Sequence, residues 1–361
     1  MPHLKFFKDI NKNSVAIAGG KGASLGEMTS AKIPVPPGFV ILSSAFDRFL
    51  EETQLNGEIT ARLKEVKPDD INSVDRASNV IRDAIHDHAM PKDLEEEILQ
   101  AFDELFERPQ GSRDSSTALR SGRNDNECLV AVRSSATAED SAVASWAGEL
   151  ETYLNTTREN VVERVKQCWS SLFTPRAIFY RHEKNLIDHY VSVAVVIQKM
   201  VQSDISGIAF TVHPVTEDYD QMIIEAGFGL GEAIVSGQIT PDSYVVSKSE
   251  MRILDVSVAT QNRKLQKKDV RNAKTAKVRN NNETIEQLNN VSNEEDNANE
   301  WVELSETEGS KQKLTGKQIM EAAELFKHIE QHYGFPCDIE WAFENGKFYI
   351  TQSRPITTLK K

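Results

Sequence analysis

The stretch that most restricts the fold is the C-terminal run Cys337-Asp338-Ile339-Glu340-Trp341-Ala342-Phe343, Glu344-Asn345-Gly346-Lys347, Phe348-Tyr349-Ile350-Thr351-Gln352-Ser353-Arg354-Pro355. Two runs rich in aromatic and β-branched residues flank an Asn-Gly pair, which is a strong hairpin signal. In the first run Ile339, Trp341 and Phe343 alternate with Asp338, Glu340 and Ala342; in the second, Gln352 and Arg354 share a face. The loop length decides whether the polar faces coincide. A two-residue turn pairs Glu340 with Thr351 and puts Gln352 on the Trp341 side. A three-residue loop, with a type I turn and Gly346 left-handed in a bulge, gathers Glu340, Gln352 and Arg354 on one face. An acid, an amide and a guanidinium together suit a metal ion and a phosphate chain. The alternative is an edge hairpin with a solvated polar face.

The rest of the chain sets bounds on function. At 361 residues it is long enough for one large or two medium domains. A net charge of −13 argues against general nucleic-acid binding, which needs a basic surface, but leaves room for a single nucleotide held by a local cluster of donors. Cys128, Cys168 and Cys337 are odd in number and widely spaced, so neither a disulfide framework nor a zinc site is expected. The charged N-terminus and the absence of an 18-residue apolar run lead to the expectation of a cytoplasmic protein without a membrane partner.

Along the chain, Ala18-Gly19-Gly20-Lys21-Gly22-Ala23-Ser24-Leu25-Gly26-Glu27-Met28 reads as a glycine-rich turn entering a short helix. Such turns can approach an anion through backbone N–H groups. The Walker pattern fails, because Val15 stands where its first glycine belongs and no Ser or Thr follows Lys21. Helices are expected over about 44–54, 71–87, 92–106, 161–173 and 316–333, the last with Ile319, Ala323, Phe326, Ile329 and Tyr333 on one stripe. Strands are expected at Cys128 to Val132, Trp146 to Leu154, Val191 to Val201, Gly207 to Thr211, Met222 to Ala226 and Tyr244 to Val246. Arg133 then stands at a strand's end beside Ser134 and Ser135, placed to hold phosphate oxygens bidentately. The polar stretches 107–127 and 262–300 read as exposed insertions. Gly227-Phe228-Gly229-Leu230-Gly231-Glu232 lacks the spacing of a dinucleotide fingerprint. His328 and His332 are four apart on a helix, with no third metal ligand in view.

Taken jointly, a Gly-Gly-Lys-Gly segment, Arg133, Gln198-Lys199 and the final Glu340, Gln352 and Arg354 suit a nucleotide bridged through a divalent cation. At this point the sequence resembles the N-terminal ATP-binding domain of phosphoenolpyruvate synthase and pyruvate phosphate dikinase, a domain that also occurs in rifampicin phosphotransferase. The stretches that carry the resemblance are 19–28, Val35-Pro36-Pro37-Gly38-Phe39, 132–140, Gly148 with Thr152, 196–201, 207–214, 225–232, 336–342 and Thr351-Gln352-Ser353-Arg354-Pro355. They follow the family's order over nearly the whole chain; the two polar insertions match poorly.

The resemblance implies an α+β chain with the ATP-grasp fold, its two α/β subdomains spanning 1–190 and 191–361 with the nucleotide in the cleft between them. It implies ATP and Mg²⁺ as ligands. Lys21 and Arg133 would hold the triphosphate, and Gly148 and Thr152 would line the nucleotide. Gln198 would lie near adenine or ribose, Glu340 and Gln352 would hold Mg²⁺, and Arg354 would bind a terminal phosphate. Shared ligation by Glu340 and Gln352 requires the bulged, odd-length loop at 344–347. The activity implied is phosphoryl transfer from ATP to a histidine on a swivelling domain that works with a pyruvate-binding domain. Both partners are expected in trans or lost by truncation, so the chain alone binds ATP without completing phosphoenolpyruvate synthesis. The competing expectations are a nucleotide-binding regulatory module without turnover and the ATP-binding part of an antibiotic phosphotransferase.

Overall fold

A computed structural model describes residues 2–107, 128–137, 150–184, 186, 191–268 and 298–359. It is a mixed α+β chain of two compact units, one comprising Met1–Met200 with Ile350–Pro355, the other Val201–Tyr349 with Ile356–Lys361.

The first unit is built on a five-stranded antiparallel sheet in the order β1-β2-β5-β3-β4. Its elements in chain order are β1 (Leu4–Phe6), α1 (Val15–Ser30), β2 (Gly38–Ile41), α2 (Ser43–Glu52), α3 (Leu55–Glu65), α4 (Ile71–Asp87), α5 (Lys92–Phe106), β3 (Val130–Ala136), β4 (Thr152–Thr156), α6 (Val161–Ser170), α7 (Pro175–Glu183) and β5 (Val193–Lys199). Phe39, Ile41, Val130, Val132, Val193, Val195 and Ile197 alternate onto one face and join the core with α2 through α7. Trp169 of α6 sits in its centre, 5.5 Å from the Phe46 ring and 5.2 Å from Phe49. The unit ends at Met200 rather than near residue 190, because β5 pairs with both β2 and β3.

Helix α1 covers the other face, and here the expected glycine-rich turn is corrected. Residues 15–30 are helical except at Gly19, whose φ of 68° and ψ of 171° break the helix at one residue. A Cβ there would fall 2.1 Å from the Ser135 hydroxyl, so position 19 needs glycine on both conformational and steric grounds. The later glycines are helical and admit close packing: a Cβ on Gly26 would lie 2.6 Å from the Ile10 carbonyl.

The second unit carries β6 (Ile205–Phe210), β7 (Gln221–Phe228), α8 (Glu232–Val235), β8 (Asp242–Ser247), β9 (Arg252–Ser257), β10 (Arg263–Lys267), β11 (Asn299–Glu303), α9 (Glu306–Gly309), α10 (Gly316–Tyr333), β12 (Cys337–Glu344) and the start of β13 (Lys347–Pro355). Its main sheet runs β13-β12-β6-β7-β8-β9. Ile339, Ala209, Ile224 and Tyr244 form one cross-strand row, all fully buried. Phe326 of α10 packs on this face, with its ring 6.2 Å from Trp341. The flanks of the expected 262–300 insertion are ordered structure: β10 and β11 pair in register from Arg263↔Glu303 to Lys267↔Asn299. This ribbon is tied to the sheet by Leu230 N–H donating to Leu265 O at 2.9 Å. Residues 269–297, like 108–127, lie outside the described residues.

Candidate functional site

The C-terminal hairpin decides the first question the sequence posed. Asn345 (φ 51°) and Gly346 (φ 77°) are both left-handed and form the whole loop between Glu344 and Lys347. Consecutive left-handed residues make a two-residue type I′ turn, whose twist suits a hairpin. The expected bulged loop is therefore wrong: asparagine tolerates the left-handed region, so no third residue is required. The even turn places Phe343 beside Phe348, with their rings 4.7 Å apart. The even turn removes the bulge on which the shared-face argument for Glu340 and Gln352 rested. Their joint assignment then rests on the family motif alone.

In the first unit the register gathers three expected site residues. Arg133 pairs with Thr152 across β3 and β4 and with Val196 across β3 and β5, while Gln198 pairs with Ala131. Paired residues in a sheet point the same way and alternate residues share a face. Arg133, Thr152 and Gln198 thus stand on one face of the sheet, the face that α1 covers. Arg133 lies inside β3 rather than at its end, and it is buried. Its Nη1 donates to Thr351 O at 2.7 Å, and its Nη2 to Gln352 Oε1 at 2.9 Å. Those bonds hold the guanidinium to the returning segment 350–355, where Arg354 follows Gln352 two residues on. Gln198 is buried and Thr152 exposed.

Lys21 belongs to the same arrangement. Its Nζ donates to Ser134 O at 2.7 Å, one residue along β3 from Arg133. Ser134 faces the opposite way, and its hydroxyl donates to Glu151 O at 2.9 Å while lying 3.1 Å from Ser171 Oγ. Ser135 returns to the α1 side and hydrogen-bonds that helix. Around β4, the Glu151 carboxylate receives Arg82 Nη2 at 2.9 Å and the Tyr153 hydroxyl at 2.5 Å. Burial, then the bond to Glu151, raises the Tyr153 phenol well above its ordinary pKa. Burial likewise pushes the Cys168 thiol up to about 12. Gly148 lies outside the described residues.

In the second unit Glu340 occupies a cross-strand row with Ile208, Glu225 and Ser243, on the face opposite Trp341. Burial raises the Glu225 carboxyl above the ordinary range. Among the described residues no group of three or more His, Cys, Asp or Glu side chains is placed to hold a metal ion, so His328 and His332 gain no third ligand. Sequence reading missed Ser134, Ser135, Glu151 and Glu225. Ser134 and Ser135 had left a signal, because hydroxyls within a buried strand must find partners.

The sequence was compared with known proteins. Residues 15–361 match the family described as pyruvate phosphate dikinase, AMP/ATP-binding domain. The chain belongs to this family. A probable phosphoenolpyruvate synthase of Methanocaldococcus jannaschii is 41% identical over 363 aligned residues, covering 100% of this chain and 27% of the relative. One from Archaeoglobus fulgidus is 43% identical, covering 100% and 42%. The phosphoenolpyruvate synthase of Pyrococcus furiosus is 39% identical, covering 99% and 44%. The chain thus spans less than half the length of these relatives. No helix among the described residues is long and apolar enough to cross a membrane.

Proposed function

We propose that the chain is an ATP-grasp domain that binds Mg-ATP and supplies its phosphoryl group to a histidine on a separate domain or chain, as in phosphoenolpyruvate synthesis from pyruvate. The observation that carries this reading is the placement of Arg133, Thr152 and Gln198 on one sheet face beneath the helix that delivers Lys21. Arg133 on β3 and the Lys21 ammonium held at the neighbouring Ser134 O offer two cations to an anion, and the amide and hydroxyl add the polar contacts a nucleotide needs.

In this reading Lys21 and Arg133 hold the triphosphate, and Arg133 offsets charge as the phosphoryl group leaves. The guanidinium is suited to this role because two bonds to the 351–352 segment fix its orientation before any ligand arrives. Arg354 takes a terminal phosphate, Thr152 and Gly148 line the nucleotide, and Gln198 meets adenine or ribose. Glu340 brings hard oxygen donors of the kind Mg²⁺ takes, and sites that share the ion with phosphates need only one or two such ligands. The ion, when bound, would neutralise charge on the phosphate oxygens. Gln352 Oε1 already accepts from Arg133, so its fit is weaker than that of Glu340.

The test is calorimetric titration with Mg-ATP, followed by labelled ATP in the presence of a family phosphohistidine domain. Binding and labelling of the histidine are expected. Tight binding without labelling would leave a nucleotide-binding module in place of the transferase. For Arg133→Lys, labelling should fall far more than ATP affinity; equal loss of both would reduce Arg133 to an anchor.

A further inference from the structure

Ser135 is buried within β3 at 0% exposure and carries a hydroxyl with two partners on one helix. Its Oγ accepts the Gly22 N–H at 3.3 Å and donates to Ala18 O at 3.0 Å. Those atoms lie on opposite sides of the break at Gly19. A helix broken at one residue loses the carbonyl acceptors that its next turn would have used. The hydroxyl replaces what is missing on both sides and so bridges the break. No larger residue fits position 19, since the bridging oxygen occupies the place a Cβ would take.

The bridge spans Lys21. Between the two anchored positions, Ala18 and Gly22, the backbone cannot rotate about the break without losing a buried hydrogen bond. Lys21 leaves the helix from that fixed turn and reaches Ser134 O, the carbonyl next to Ser135. One dipeptide of β3 therefore sets both the backbone from which Lys21 departs and the oxygen that steadies its ammonium. An ammonium has three N–H donors, of which the bond to Ser134 O uses one.

We propose that Ser135 is the positioning residue for Lys21: it locks the broken helix so that the ammonium is aimed at the phosphates before the nucleotide binds. This rests on the reading of Lys21 as a phosphate ligand. It predicts an effect confined to the part of the nucleotide that Lys21 reaches.

The experiment compares ATP with AMP for the intact chain, Ser135→Ala, Lys21→Ala and the double variant. Ser135→Ala should weaken ATP about tenfold, the scale of one lost buried hydrogen bond, and change AMP by less than about twofold. In the Lys21→Ala background the same substitution should add almost nothing. Equal weakening of ATP and AMP, or an undiminished effect without Lys21, would overturn the proposal in favour of general damage to the fold. If Ser135→Ala does not fold, Ser135→Cys, with a weaker hydrogen bond at similar volume, serves in its place and should give the same selective loss in smaller measure. Lys21 acetylation without nucleotide, followed by mass spectrometry, separates this inference from the function it rests on. Faster acetylation in Ser135→Ala supports the lock even if the chain binds no ATP, which would overturn the proposed function alone. An unchanged rate would overturn the lock.

Discussion

Asp242 and Lys313 form an ion pair in the second unit with both side chains at 0% exposure, 2.9 Å between Nζ and Oδ1. The carboxylate also accepts from the Tyr244 hydroxyl at 2.7 Å, from Ala259 N–H at 3.0 Å and from the Lys313 N–H at 2.8 Å. The ammonium donates further to Ala259 O and Gly309 O. This cluster fixes the 309–314 segment to β8, just ahead of α10. Asp242→Ala leaves a dry ammonium without its counter-ion and three other donors without an acceptor, a loss of about 3–5 kcal/mol. Lys313→Met leaves the carboxylate with three donors and should cost less, about 1–3 kcal/mol. The double variant should cost less than the two losses added, because it removes the orphaned charge. Urea unfolding gives the energies, and peptide-resolved hydrogen exchange gives the location. Protection should fall in β8 and around 313–316 while β3 and β5 of the first unit keep theirs. A cost below about 1 kcal/mol for Asp242→Ala, or strict additivity, would refute the view that this pair is a mutually dependent buried unit.

Three further outcomes follow from geometry and titration. In native protein at pH 8 a thiol reagent should modify Cys128, which is partly exposed, well before the buried Cys168 and Cys337; with the Cys168 thiol pushed up to about 12, its thiolate appears only on unfolding. Gly346→Ala should destabilise the hairpin by about 1 kcal/mol, because its φ of 77° suits glycine, whereas Asn345→Gly should be nearly neutral; urea midpoints decide. Burial raises the Glu225 carboxyl, so the stability tied to its protonated form is full below the unfolded value near 4.5 and is lost as pH rises through the higher folded value. Glu225→Gln should therefore unfold at higher urea than wild type at pH 7 and show no such gain at pH 4.

Much of the fold was legible because local signals and tertiary demand agree. Helices α4, α5 and α10 begin and end where their patterns predict. Asp70 caps α4 by accepting from Asn72 N–H, and α10 has a capping box from Thr315 and Gln318 and a left-handed Gly334 at its end. Helix α3 was missed, since only Thr53 and the left-handed Gln54 separate it from α2, a break that no sequence pattern marks. Strand β3 was read too short because Arg133, Ser134 and Ser135 look like a polar stop. They continue the strand, since α1, α6 and segment 350–355 satisfy them, and those partners lie far away in sequence.

The site shows the same division. Arg133 and Gln198 could be grouped from the sequence and Thr152 from a family motif; their common face is a consequence of register, which depends on pairings among β3, β4 and β5. The hairpin shows the converse. Its existence is plain from Asn345-Gly346, but its loop length is not, and the chain takes the simpler two-residue turn. Gln352 is then best understood from what it touches. Its amide oxygen accepts from a buried guanidinium, so any cation it also contacts must tolerate a positive neighbour, whereas the Glu340 carboxylate brings charge of the opposite sign. Side-chain chemistry therefore separates two residues that the sequence had joined: one is a carboxylate, and the other an amide whose oxygen serves the arginine.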